Sequence, residues 1–386
     1  MHFAFLFSRF KILSGAERLI LKLSEAVLDK GHHITIVCNY FDPTCTPLLP
    51  KNARIRISGI RMDYFRNRYL NAAFDYFRSS ALAPMVPKAV DAICCFGPAL
   101  AIVPHLKKTH QAPILYFCYE PPRFLYTDRD LIRKQLKFAG IFAGPFFSLY
   151  RKRDQRLVHS VDAVLSNSHF GAQQIQKIYN LKANVITHGL DNYKSSEKRS
   201  DLRKQFGFQD DDIVVITVNY LHPRKRIDLF VDSIAIARKK NSHIKGLIVG
   251  DGPEKRRLKE RADAHVHFTG FVPDDLLHHY YQSADIYLNT ARLETFGLSV
   301  IEAAGNALPV VSVNEGGPCE TVVHEQTGLL VKDDSNELAE GILKSAADME
   351  LRKRFGEAGK KFVNEKYSWE QGAQDFLNTL NSLKKT

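Results

Sequence analysis

Apolar residues in the first half of the chain arrive in short, unbroken runs separated by polar stretches. HFAFLF from His2, HITIVC from His33, AICCF from Ala92, ILYFCY from Ile114, AVLSNS from Ala163 and NVITHG from Asn184 are continuous rather than alternating. Such runs predict strands of a parallel sheet covered on both faces. Between the first two, Leu19, Ile20, Leu23, Ala26 and Val27 recur at helical spacing, which predicts a helix from Ala16 to Lys30 ended at Gly31. A polar stretch from about 192 to 210 follows and reads as a linker. A second series then begins: IVVITVN, KGLIVGDG, VHFTGF, IYLNT, PVVSV and GLLV as strands. IDLFVDSIAIARKK, EKRRLKERADA, DDLLHHYYQSA, GLSVIEAAGNA and SNELAEGILKSAAD read as the helices between them. The alternation predicts two doubly wound α/β domains, over residues 1–190 and 191–368. The closing residues 369–386 continue an amphipathic helix entered through Ser368.

Length and composition agree with this division. A chain of 386 residues exceeds one ordinary hydrophobic core. With 45% apolar and 25% charged residues it is globular rather than disordered. No run approaches the roughly 18 apolar residues of a membrane-spanning helix. The opening apolar run lacks a basic segment before it and reads as a first buried strand rather than a secretory leader. Six cysteines, none in a CxxC pair, read as small buried thiols in a reducing, cytoplasmic setting, with no structural metal site.

Charge changes the picture more. Residues 1–190 carry 26 Lys and Arg against 12 Asp and Glu, a net of +14, whereas residues 191–386 carry 28 against 30, a net of −2. The first half therefore expects an acidic partner: nucleic acid, anionic lipid headgroups or a phosphate-bearing substrate. Within it, residues 123–156 interleave aromatics with cations. Phe138, Ile141, Phe142, Phe146 and Phe147 lie between Arg133, Lys134, Lys137 and Arg151, Lys152, Arg153. That pattern fits a segment docking on an anionic membrane, a groove stacking nucleic-acid bases, or a helix pair with a solvated rim.

Candidate chemistry gathers in the second half. In an open parallel sheet, the loops after the strands precede helix N-termini, where free N–H groups and the helix dipole favour phosphate. Four such loops stand out. Asn219 to Lys225 places Arg224 and Lys225 after a strand. Gly250-Asp251-Gly252-Pro253 follows the next, with Pro253 suited to a first helical turn. Glu294 lies after IYLNT, and Glu302 sits about one turn into the following helix, so that one carboxylate can face a sugar and the other a ribose diol. Gly316-Gly317-Pro318 and Glu320 follow PVVSV. Taken singly, each loop is also explained as a plain turn or a capping charge; together, after strands of one sheet, they offer chemistry suited to phosphate and diol groups.

In this arrangement, Ile213 to Val331 resembles the donor-binding domain of family 4 glycosyltransferases, the retaining class with the GT-B fold. Glu294 to Glu302 matches the family's E-x7-E motif, and GDGP, FTGF (Phe268 to Phe271) and GGPxE (Gly316 to Glu320) follow the family's order. His222 to Asp228 looks like its basic phosphate loop. Ser14-Gly15-Ala16-Glu17-Arg18 resembles its GGAER loop, Ser166-Asn167-Ser168 and His188 to Asp191 resemble its SNS and NGVD segments, and Cys118 to Arg123 resembles a CHTPPR-like segment of mannosyltransferases. Tyr119 stands where that segment has His, Ser14 replaces a Gly, and Asn219 and Tyr220 stand where the family usually carries an Arg.

The resemblance implies two Rossmann-like domains facing a central cleft, with a closing helix that returns to the first. It implies Lys225, Arg224 and Glu294 as catalytic residues. Donor binding would fall to Gly15, Asn219, Gly250, Gly252, Phe271, Thr295, Phe296, Gly297, Leu298 and Glu302, and the acceptor and sugar side to Tyr119, Glu120 and Arg123. The reaction would be metal-independent and cofactor-free. A nucleotide diphosphate sugar would serve as co-substrate, with GDP-mannose favoured over a UDP-sugar by the KRID and CxxPPR segments, and the acceptor would be lipid-linked or a glycan at the cytoplasmic membrane face. Three other readings stay open: a different chemistry on the same fold, such as a sugar-nucleotide epimerase or a phosphorylase-like enzyme; a nucleotide-sugar-binding protein of this fold without turnover, suggested by Tyr119 and Tyr220; and a basic nucleic-acid-binding protein. No RNA- or DNA-binding signature accompanies the charge, so no nucleic-acid partner is expected.

Overall fold

The computed structural model describes residues 1–11, 15–60, 79–127, 139–191 and 199–384. Ser14, residues 128–138 of the basic-aromatic segment and residues 192–198 of the polar stretch lie outside the described residues, as do the side chains of 139–146. The chain forms two compact units, one of Met1–Gly189 with Trp369–Thr386 and the other of Leu190–Ser368.

The first unit is built on a seven-stranded parallel sheet. Its strands run in the order Arg54–Ile57, His33–Cys38, His2–Phe7, Ala92–Phe96, Ile114–Phe117, Ala163–Ser166 and Ala183–Val185. Strand periodicity sends Phe3, Phe5 and Phe7 to one face and Ala4 and Leu6 to the other, and each face has its own buried cluster. The first face is covered by helices Gly15–Asp29 and Trp369–Leu383. Phe376 of the latter meets Phe3 and Phe5 edge-on, at centroid distances of 5.5 and 5.4 Å. Gly372 and Gly189 allow the helix to sit close: a Cβ on Gly372 would lie 2.3 Å from the Thr187 carbonyl, and one on Gly189 would enter the Trp369 ring.

The second unit holds a six-stranded parallel sheet in the order Val266–Gly270, Ile244–Val249, Ile213–Val218, Ile286–Asn289, Val310–Val313 and Gly328–Val331. Helices cover both faces, with Val215, Ile248 and Leu288 in one cluster and Val214, Ile216 and Tyr287 in the other.

Four local expectations are corrected. Part of the presumed linker is the helix Arg199–Gln205, docked because the guanidinium of Arg203 is buried and donates to Asp285 and to the carbonyls of Ser283, Gln209 and Asp212. Asp212, where the polar stretch read as a linker runs into the next strand, is buried, accepting from the Gln209 amide at 2.8 Å and pairing with Lys245. Cys319 is exposed, whereas the other five cysteines are buried. Pro253 precedes its helix, which starts at Lys255. Among the described residues, no helix is long and apolar enough to cross a membrane.

Candidate active site

The loops singled out in the second unit follow five neighbouring strands, so they line one carboxyl edge of its sheet. Backbone contacts stitch them to each other. The Leu221 amide donates to the Asp251 carbonyl at 2.9 Å, and the Gly250 amide to the Gly270 carbonyl at 2.9 Å. Arg292 donates to the Arg224 carbonyl at 3.2 Å, and Gly317 to the Glu294 carbonyl at 2.7 Å. The Thr290 hydroxyl adds a bond to the Lys225 carbonyl at 2.8 Å. The glycines are what this closeness requires. Gly250, at φ 129°, would place a Cβ 2.0 Å from the Asn219 carbonyl, and Gly316, at φ 77°, one 2.5 Å from that of Glu294.

This seam brings Lys225 and Glu294 into an ion pair, each side chain about one-fifth exposed at 21%. Arg224 lies beside Lys225 on the same short helical turn, Pro223–Lys225. The next residue, Arg226, takes a left-handed conformation at φ 51° and turns its guanidinium to Asp333 at 3.0 Å. Three successive cations thus divide their roles, and Arg226 holds the loop. Glycine at 297, also left-handed at φ 87°, starts the helix Leu298–Gly305. Glu302 sits in the second turn of that helix, only 4% exposed, and accepts from the Tyr281 hydroxyl at 2.8 Å. From the strand beneath, Tyr287 donates to Ser299 at 2.7 Å, and burial pushes the Tyr287 phenol well up.

The other residues singled out in this unit sort by what their side chains do. Phe271 stands out at 66% exposure, next to Gly270 at the end of its strand. Asn219 is buried, its amide donating to Thr217 at 3.0 Å, and the Phe296 ring packs edge-on against Tyr367 at 5.5 Å. Leu298 packs in the same cluster as Phe296. Thr295 lends its carbonyl to the close approach of Gly317, and Gly252 stacks on the Leu221 backbone. Asp251 is held below the usual carboxylate range by the Lys255 ammonium and the Gly252 amide.

Gly15, Tyr119, Glu120 and Arg123 belong to the first unit, near the carboxyl edge of its own sheet. The Tyr119 ring packs on Phe117 at 5.1 Å, and its hydroxyl reaches the Ala16 carbonyl at 3.3 Å. It therefore supports the start of helix Gly15–Asp29, and burial pushes its phenol far up. Glu120 and Arg123 pair at 2.6 Å. The sequence reading overlooked Tyr281 and Thr290. Tyr281 fills a core position of the helix Asp274–Ser283, four residues after buried Leu277, so nothing in the pattern set its hydroxyl apart.

Two doubly wound parallel-sheet units, one with a rim of stitched loops bearing a cation and two carboxylates, define the GT-B class of glycosyltransferases. The family description "Glycosyltransferase Family 4" matches residues 13–192, and "Glycosyl transferases group 1" matches residues 198–362. The chain belongs to family 4 of the glycosyltransferases, a hexosyltransferase family. It is 24% identical to the alpha-1,3/1,6-mannosyltransferase ALG2 of Rhizomucor pusillus, over 92% of this chain and 86% of that protein. It is 30% identical to the GDP-mannose-dependent alpha-(1-6)-phosphatidylinositol monomannoside mannosyltransferase of Mycobacterium tuberculosis, over 47% of this chain; the match spans 50% of that relative's length. Among solved structures, Anabaena HepE in complex with UDP-glucose superimposes with a TM-score of 0.74 at 20% identity, over 99% of this chain and 100% of that one.

Proposed function

We propose that this chain is a retaining hexosyltransferase that moves mannose from GDP-mannose to a lipid-linked or glycan acceptor. The observation that carries the reading is the Lys225–Glu294 pair, set in a rim where five loops converge. In the free chain the two charges satisfy each other. A diphosphate offers Lys225 a stronger partner, with Arg224 adjacent, and frees Glu294 to accept from the hydroxyls of the sugar. Charge growing on the leaving diphosphate meets cations fixed in advance, the arrangement that contributes most to such transfers. Glu302 takes the ribose diol, and the departing phosphate accepts the proton of the attacking hydroxyl on the same face. The names of ALG2 and of the mycobacterial enzyme support a mannosyl donor and a lipid-borne acceptor.

On the acceptor side, Tyr119 buttresses the Gly15 helix, and Glu120 and Arg123 are the polar groups offered to the acceptor. The helix Ala139–Val158 exposes Leu149 among Arg151, Lys152, Arg153 and Arg156, which supports docking of this unit on an anionic membrane surface. A thermal-shift panel of GDP-mannose, UDP-glucose and ADP-glucose tests the donor. Ligand at 100 times its dissociation constant adds about 2.7 kcal/mol of stability. GDP-mannose should give the largest shift, and product analysis with a polyprenyl or phosphoinositol acceptor should show retained α-configuration. No shift with any sugar nucleotide would remove the reading. Flotation with vesicles containing anionic lipid, against phosphatidylcholine alone, tests the membrane arm.

A further inference from the structure

We propose that Tyr281 is a positioning residue that sets the preference for ribose in the donor nucleotide; the inference rests on the assignment of Glu302 to the ribose diol. Tyr281 is fully buried, and its hydroxyl donates to Oε2 of Glu302 at 2.8 Å. The terminal torsion of a glutamate is broad and roughly two-fold, so helix geometry alone does not decide how the carboxylate plane lies. A phenol fixed in the core does decide it. It anchors one oxygen and thereby turns the carboxylate so that its plane meets a diol in one orientation. A carboxylate as buried as Glu302 also needs such a donor, because an unpartnered one there carries a large desolvation cost.

The surroundings reinforce the assignment. The next residue, Gln282, donates to Asn306 Oδ1 at 3.4 Å, and Asn306 in turn caps the Glu302 carbonyl through its amide side chain at 2.9 Å. The end of helix Asp274–Ser283 thus holds the Glu302 helix at both the side chain and the backbone. Tyr281 touches no substrate in this scheme; it acts through Glu302.

The experiment is a competition titration of the full-length chain with GDP, 2′-deoxy-GDP, UDP and 2′-deoxy-UDP, for wild type, Tyr281→Phe, Glu302→Gln and the double variant, with melting temperature and circular dichroism recorded on each. Wild type is expected to prefer the ribonucleotide. Tyr281→Phe should shrink that preference roughly tenfold, the size of a lost hydrogen bond to a charged group, and raise KM for the donor sugar more than it lowers kcat. In the Glu302→Gln background, Tyr281→Phe should change the preference no further. An unchanged ribose preference in Tyr281→Phe, or equal weakening of ribo- and deoxyribonucleotides, overturns the inference and leaves Tyr281 a packing residue. Nucleotide binding without any ribose preference in wild type overturns it together with the role of Glu302, whereas no nucleotide binding at all strikes the donor-site reading itself. Should Tyr281→Phe fail to fold, 4-aminophenylalanine at position 281 keeps a weaker N–H donor, and its ribose preference should fall below wild type; an unchanged preference overturns the inference.

Discussion

Lys225 and Glu294 lie 69 residues apart in sequence yet form an ion pair, and both stand on loops whose backbones are bonded to each other. Each side chain keeps about one-fifth of its surface in water, so solvent can take up the charge left by loss of its partner, and the pair contributes only about 1 kcal/mol to folding. Its geometry is better explained by a ligand that replaces one partner. Lys225→Ala should therefore leave the melting temperature nearly unchanged while lowering kcat/KM for donor turnover on the order of 10²–10³-fold, the cost of one preorganised donor to developing charge. Steady-state kinetics beside a melting curve separate the two effects. A large loss of stability with little loss of rate would make the pair structural.

The second prediction concerns the glycine seam. Gly316 is left-handed at φ 77° and would drive a Cβ to 2.5 Å from the Glu294 carbonyl, whereas Gly207, at φ 70°, has nothing within 4 Å of its Cβ. Gly207→Ala should cost only the backbone term, about 1–2 kcal/mol. Gly316→Ala adds a collision with the loop that carries Glu294, so it should weaken donor binding as well as stability. Isothermal titration with the nucleotide diphosphate reads the difference. Equal behaviour of the two variants would mean that the seam does not shape the site.

These loops were legible in the chain because each follows an apolar run and carries a charged residue. The positive φ at Gly250, Gly297 and Gly316 is what the structure adds to those loops. What escaped has physical reasons too. Arg54–Ile57 is an edge strand whose exposed arginines break the apolar run, so it did not read as a strand. Arg203 and Asp212 look like linker charges and become buried only because four acceptors converge on one guanidinium. Phe296 sits inside the acidic motif but spends its ring on Tyr367, a contact between residues far apart in the chain. Tyr281 reads as core, and is core, except for one oxygen.

A third prediction follows from the closing helix of the first unit. Phe376 packs edge-on against both Phe3 and Phe5 on the central strand, so Phe376→Ala should destabilise this unit by about 3–5 kcal/mol. The chain has a single tryptophan, Trp369, which starts this helix with its ring 4.6 Å from that of His188. Its fluorescence therefore reports the docking of the helix. Urea unfolding followed at Trp369 should show the midpoint falling in Phe376→Ala. A midpoint within error of wild type would mean the helix is held elsewhere, at Thr187 and Asp375.

The last prediction concerns Asp154, buried beneath the segment that carries Arg123. Its Oδ2 accepts from Tyr126 at 2.7 Å and from Tyr179 at 2.8 Å, which clamps the helices Arg123–Tyr126 and His169–Tyr179 to Ala139–Val158. Burial pushes the carboxyl up, and the two phenols pull it only part of the way back. A native pKa raised above the unfolded one means that the native state binds the proton more tightly. The stabilisation from this group is therefore complete below the unfolded value, about 3.9, and is lost as pH rises through the raised native value. Asp154→Asn keeps an acceptor for the phenols and does not titrate. Its melting temperature relative to wild type should therefore climb as pH goes from about 4 to 7. Asp154→Ala removes the acceptor altogether, leaving the buried Tyr179 hydroxyl without it, and should cost about 1–3 kcal/mol at every pH. A difference between Asp154→Asn and wild type that stays flat or falls with pH would show that the phenols hold the charged carboxylate more firmly than burial opposes it.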